Sequence, residues 1–265
     1  MNGLMIHTKG SGKISKEDAF AIPVPEQTNT YTPVPNEALW DMLQKTAESK
    51  GLKLGEPEMG YAHNGQRLFG VAEITNQDYL DEEVRLTLGF RNSYDKTLSV
   101  GVCFGSKVFV CDNMCFSGYT SEEEGAVGQV HKRHHSDVWE GLQIKLEDSM
   151  SQFEIFKSYQ ENSFNRMKEI ALTDTQAHDL IIQSARAEAI TAKDCMTVAN
   201  HWAYQANCPE HEAENWHKEF MPRNAWSLFN CFTEIHKNGQ AKSPFAANIR
   251  SIKLNNFFHQ QFLNN

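Results

Sequence analysis

The residues best equipped for chemistry lie in the run 86–113, LTLGFRNSYDKTLSVGVCFGSKVFVCDN, and in a histidine-rich and a cysteine-bearing stretch further on. The run carries Asn92, Ser93 and Asp95, all with turn chemistry, and ends on Cys111, Asp112 and Asn113. A thiol or hydroxyl becomes a nucleophile beside a base that takes its proton; the sequence sets no such base next to Cys111, Cys115 or Ser93. Cys111, Cys115, Cys208 and His211 are the candidate metal ligands, and zinc is the ion that two thiolates with a thiolate–imidazole pair would take. Their spacings, Cys111-x3-Cys115 and Cys208-x2-His211, are looser than paired zinc knuckles, and ordinary buried or turn cysteines explain them as well. Asp112 with Asn113 suits a divalent ion or a strand-ending turn.

In His131-Lys132-Arg133-His134-His135, the two outer histidines would share a face of a helix and could hold a metal. The same five residues also read as a surface patch that contacts a partner or an anion, and histidine would make such a patch sensitive to pH. Asn92, Asp95 and Asn113 are assigned to turn structure, because short polar side chains bond turn backbone that is otherwise unpaired. Trp202 and Trp216 belong to an aromatic-rich second half and join the partner-contact candidates. The chain lacks Gly-x-Ser-x-Gly, Gly-x-Gly-x-x-Gly, His-Glu-x-x-His and the phosphate-loop motif. The expectation is therefore a protein without catalytic residues and without a cofactor.

Composition limits what can position these groups. The chain has 265 residues, 40% hydrophobic and 22% charged, which suits a folded protein with a substantial core. Its formal net charge of −9 argues against a nonspecific grip on nucleic acid unless a local basic face survives. No apolar run reaches the roughly 18 residues of a membrane span, and the N-terminus lacks the pattern of a secretory signal. Six cysteines are expected to stay reduced.

The predicted class is α+β: an N-terminal antiparallel sheet with a helix, then a long helix and a helical C-terminal half. Residues 1–35 read as an extended arm, since Pro23, Pro25, Pro33 and Pro35 fix φ and disfavour helix before them. Residues 36–136 form the sheet domain. They open on a helix capped by Asn36, and strands follow at 67–74, 84–90, 97–104 and 107–111. The Asn64-Gly65 and Gly105-Ser106 pairs are read as turns. Residues 117–136 read as a mobile surface loop. Residues 137–265 are helical, starting with one helix of about 30 residues. Thr173 and Gln176 then form a capping box, Thr191 caps a helix, and another starts at Asn224.

Three islands then carry a resemblance. Arg91-Asn92-Ser93-Tyr94-Asp95, Phe109-Val110-Cys111-Asp112-Asn113 and Asn224-Ala225-Trp226-Ser227-Leu228-Phe229-Asn230 with Thr233-Glu234 occur in the order of a phage- and plasmid-borne family of unknown function, the "phage/plasmid-like" proteins. The chain resembles that family over about 86–240 and departs from it at Cys231, where alanine is favoured. The resemblance implies a mobile-element origin and a place in the cytoplasm of an infected bacterium; it supplies no catalytic residues. The leading expectation is an accessory bacteriophage protein, itself a homo-oligomer, that binds a host antiviral defence complex such as a nuclease. A second is a protein that binds single-stranded DNA in replication or recombination, using Arg85, Arg91, Lys96, Lys107, Lys132 and Arg133. A third is a metal-dependent hydrolase built on Asp95, Cys111 and Asp112.

Overall fold

The computed structural model describes residues 11–77, 84–108, 113–116, 119–121, 125–127, 129–207, 222–237 and 244–262. They fall into two compact units, one holding 10–107 and 116–157, the other holding 108–115 and 158–265.

The first unit is built on an antiparallel sheet. Strands β1 (Ser11–Ile14), β2 (Glu58–Ala62), β3 (Arg67–Glu73), β4 (Val84–Ser93) and β5 (Val100–Val108) follow one another in space as in sequence. From β2 onward the connections are short, which favours hairpins over crossovers, whereas a segment carrying two helices joins β1 to β2. Between β2 and β3 the chain reverses at His63, Asn64 and Gly65, which all have positive φ; asparagine and glycine tolerate this region best. Helix α1 (Lys16–Ala21) is capped by the Ser15 hydroxyl, which accepts from the Asp18 N–H. Helix α2 (Asn36–Ser49) buries Leu39, Trp40, Leu43 and Ala47 along one stripe and ends before Gly51, whose φ is 75°. Trp40 meets Phe90 of β4 with ring centroids 5.5 Å apart, and Phe90 lies over Gly70 of β3, where a Cβ would sit 2.0 Å from the ring.

Several expectations change here. Residues 11–21 are not an arm but a strand and a helix of the sheet unit. The segment that follows is bolted down: Asn36 Nδ2 donates to the Ala19 carbonyl, and Asn92 Nδ2 donates to the Val34 carbonyl at 2.6 Å. Prolines made this backbone extended, as expected, but buried polar bonds fix it in place. Gly105 and Ser106 lie inside β5 rather than at a turn, because a strand that can pair continues through small residues. Strand β6 (Asn113–Phe116) precedes the predicted mobile loop, which itself holds strands β7 (Tyr119–Ser121), β8 (Gly125–Val127) and β9 (Gln129–Lys132). β7 and β8 form a hairpin, and β9 pairs antiparallel with β5, placing Lys132 opposite Val100 and His131 opposite Gly101. Charge along 117–136 hid a pairing that backbone hydrogen bonds supply.

The expected 30-residue helix is two helices, α3 (Val138–Ser151) and α4 (Phe153–Glu169). Gln152 interrupts them, and its N–H turns back to the Ser149 carbonyl. In the first unit Phe153 and Phe156 of α4 pack on Phe104 of β5 at 5.2 and 5.3 Å between centroids.

The second unit is helical. α5 (Asp174–Arg186) starts at the expected capping box: the Thr173 hydroxyl accepts from the Gln176 N–H, and the Gln176 side chain accepts from the Thr173 N–H. α6 (Cys195–Asn207) starts after Thr191, whose hydroxyl and N–H both donate to the Asp194 carboxylate. α7 (Ala225–Lys237) starts on a reciprocal cap, in which Asn224 Oδ1 accepts from the Ser227 N–H and Ser227 Oγ from the Asn224 N–H. α8 (Pro244–Phe262) completes the unit. Trp226 and Phe229 of α7 stack on each other at 5.7 Å and meet Phe164 of α4; Phe229 and Phe232 meet Phe258 of α8 edge-on. The third island of the resemblance is thus core packing.

Candidate functional site

The 92–95 turn is saturated with internal bonds. Asn92 Nδ2 donates to Asn36 Oδ1 as well as to Val34, and its own Oδ1 accepts from the Ser93 N–H. The Tyr94 hydroxyl accepts from the Asn36 N–H. Asp95 Oδ1 accepts from Ser93 Oγ, Thr97 Oγ1 and the Thr97 N–H, and Oδ2 accepts from Arg67 Nε at 2.6 Å. Burial alone would raise the Asp95 carboxyl, but the bonds from Ser93, Thr97 and Arg67 outweigh it and hold the group well below the usual carboxylate range. Asn92 is 1% exposed. The turn holds the 19–36 segment on β4 and leaves Asp95 little capacity for a reaction.

A different arrangement surrounds the histidines. A cavity of about 510 Å³ is lined by residues of three segments: Thr30 and Tyr31; Lys96, Thr97, Leu98 and Ser99 from the β4–β5 connection; and His131, Arg133, His134 and His135 from β9 and the turn into α3. Tyr31 supports it from below in the network, its hydroxyl donating to the Ser93 carbonyl and, mainly through burial, pushed up to about 12. The Lys96 ammonium lies 5.0 Å from the centre of the Tyr31 ring, and the His134 ring lies 5.2 Å from it. Thr32 and His134 pair twice: the Thr32 N–H donates to the His134 carbonyl, and His134 Nδ1 lies 3.2 Å from the Thr32 carbonyl.

Arg91 reaches this cavity across β5. Gly101 makes the path, since a Cβ there would lie 2.6 Å from Arg91 Nε. The guanidinium Nη2 donates to Ser99 Oγ at 3.3 Å and meets His131 Nδ1 at 3.2 Å. A guanidinium only donates, so that His131 nitrogen accepts. Burial lowers the basicity of Arg91, and burial with the Arg91 and Lys145 charges lowers that of His131. No carboxylate lines the cavity among the described residues, and neither Lys96 nor Arg133 has an acidic partner there. A concave surface edged by cations with free capacity binds anions.

The five-residue histidine segment is therefore brought together, but not as a helix face. His131 lies on a strand, so the shared face with His135 does not exist, and His134 is 6% exposed rather than on the surface. Lys132 points elsewhere, paired with Asp137 at 2.6 Å and lying against Gly141. Arg85 is likewise paired, with Glu73 at 2.7 Å. Trp202 is not a contact surface: it is fully buried, its Nε1 donates to Asp174, and Arg223 lies 4.1 Å over its ring. Cys111, Asp112, Cys208, His211 and Trp216 lie outside the described residues; Cys115 and Asn113 lie on β6, and Lys107 on β5. Among the described residues no group of three His, Cys, Asp or Glu is placed to hold a metal ion. Sequence reading missed Thr30, Tyr31 and Ser99; only Pro33 and Pro35 nearby hinted at a fixed segment.

Among the described residues no helix is long and apolar enough to cross a membrane. No curated protein and no solved structure matches the chain. One family model does match, that of a domain of unknown function, DUF932, and it runs over residues 26–258, from just before the Thr30–Tyr31 wall of the cavity to the aromatic core of α8. The chain thus belongs to the DUF932 family.

Proposed function

We propose that this chain is a binding protein of mobile-element origin whose first unit grips the phosphate backbone of single-stranded nucleic acid in the Lys96–Arg133 cavity. One observation carries the reading. In a chain of net charge −9, Lys96 and Arg133 converge with three histidines, one of them backed by Arg91, on a cavity without a carboxylate among the described residues. Cations on such a surface release counterions from a phosphate backbone, which is the main source of affinity for nucleic acid. A volume of this size suits a nucleotide-sized segment of an unpaired strand rather than a duplex. The hydroxyls of Thr30 and Ser99 add donors that a phosphate or sugar accepts or pairs with.

The test is fluorescence anisotropy with a labelled oligonucleotide at several salt concentrations. Three phosphate contacts give a slope of log K against log salt of about −2 for a single strand. Replacing both Lys96 and Arg133 by alanine removes most of that slope. A flat salt response in the wild type overturns the nucleic-acid reading. If the protein instead co-elutes with a host defence complex, and K96A/R133A releases it, the cavity is a contact for an acidic protein surface.

A further inference from the structure

His134 and His131 line the same cavity in opposite protonation patterns. The partner of His134 Nδ1 is the Thr32 carbonyl, which only accepts, so Nδ1 carries a proton. In the neutral ring Nε2 is then a bare lone pair. Nε2 is buried and has no hydrogen-bond partner among the described residues, a rare state for an interior polar atom. His131 is the reverse. Its Nδ1 accepts from Arg91, so its neutral ring already presents an N–H at Nε2, and protonating it would set two donors against each other.

A phosphate oxygen only accepts when ionised. Facing neutral His134 it would meet a lone pair; facing the imidazolium it would meet a donor held from behind by Thr32. We propose that His134 reads the phosphate of the ligand and takes up one proton when the ligand enters. This rests on the anion-binding reading of the cavity.

The surroundings fit. Tyr31, tilted at 37° against the ring, stays neutral. Lys96, Arg133, His135, His131 and, behind it, Arg91 are the other titratable or charged groups around the cavity, and all are basic. Asp95 is committed to Ser93, Thr97 and Arg67. Burial depresses the basicity of His134, helped by His135 and opposed by the bond to Thr32. The free protein therefore holds His134 neutral near pH 7, and the ligand brings the negative charge that raises it again. Affinity then rises as pH falls through the ring's pKa in the complex and levels off below its pKa in the free protein.

Isothermal titration of the full chain in two buffers of different ionisation enthalpy counts the protons. A short single-stranded oligonucleotide and pyrophosphate are the probes, each also titrated by nitrogen NMR of the histidine rings. Expected are uptake approaching one proton, up to about a tenfold gain in affinity per pH unit through the titration window, and a His134 ring whose pKa rises on binding. His134→Gln keeps a donor at the same place without titrating, so it binds with no uptake. His131→Gln leaves the uptake intact. Both probes binding with no uptake, or uptake that survives His134→Gln, overturns the role of His134 and spares the nucleic-acid reading. Pyrophosphate binding with uptake while the oligonucleotide fails does the reverse. Failure of both probes overturns both. Should His134→Gln not fold, the wild-type ring titration decides alone: an unshifted His134 pKa with pyrophosphate bound sinks the proposal.

Discussion

The 92–95 turn and the cavity wall at 131–135 are both polar and both in the first unit, but they dispose of their donors and acceptors differently. Asn92 and Asp95 direct theirs inward, to Val34, Asn36, Ser93, Thr97 and Arg67. Across the cavity, and among the described residues, Lys96 and Arg133 have no acidic partner and His134 Nε2 has no hydrogen-bond partner. Buried polar groups that are all bonded stabilise a fold, whereas groups left with capacity are where a ligand can add interactions. The two regions meet at the 94–99 connection, so the saturated turn fixes the backbone from which Lys96, with φ of 63°, projects.

That contrast can be broken most severely at Asn92. Asn92→Ala strands the Val34 carbonyl and Asn36 Oδ1 in the interior, and should cost about 3 kcal/mol, read as a fall in the denaturant midpoint. Unchanged stability with lost binding would make the turn part of the site. Asp95 comes next. Its carboxyl is held below its unfolded value, so its stabilisation is present above about pH 4 and is lost as pH falls toward the folded value. Asp95→Asn should lower stability by about 2 kcal/mol at neutral pH and flatten the acid limb of the melting-temperature profile. Gly101→Ala should push Arg91 aside at a cost of about 1 kcal/mol and weaken anion binding severalfold, measured by anisotropy. The smallest change in stability belongs to Lys96→Ala with Arg133→Ala. With no ion pair to lose, the double variant should stay within about 0.5 kcal/mol of the wild type while its salt slope collapses.

Local signals were legible wherever one short segment determines the outcome. The Thr173–Gln176 box, the helix start near Asn224, the Asn64–Gly65 reversal and the apolar stripe of α2 all depend on neighbours within a few residues. The break at Gln152 was hidden because the helical periodicity of Leu142, Leu146 and Met150 runs on smoothly into Phe153 and Phe156. The site was half legible. Its basic and histidine residues stand together in the sequence, but which of them are free depends on partners far away. Lys132 is taken by Asp137, whereas Arg133, one residue on, is not.

By itself, then, the sequence determined the α+β class, most of the helices, the strands β3 to β5, the reversal at Asn64–Gly65 and the concentration of basic groups at 131–135, because propensity, capping and charge act over short stretches of chain. Only the tertiary structure decided that β9 pairs with β5, that Thr32 fixes the proton on His134, and that Arg91 crosses Gly101 to reach His131. Apart from the local step from Arg91 to Gly101, these contacts join residues from 26 to 102 positions apart, and burial, which sets where a proton rests, exists only after those distant segments have come together.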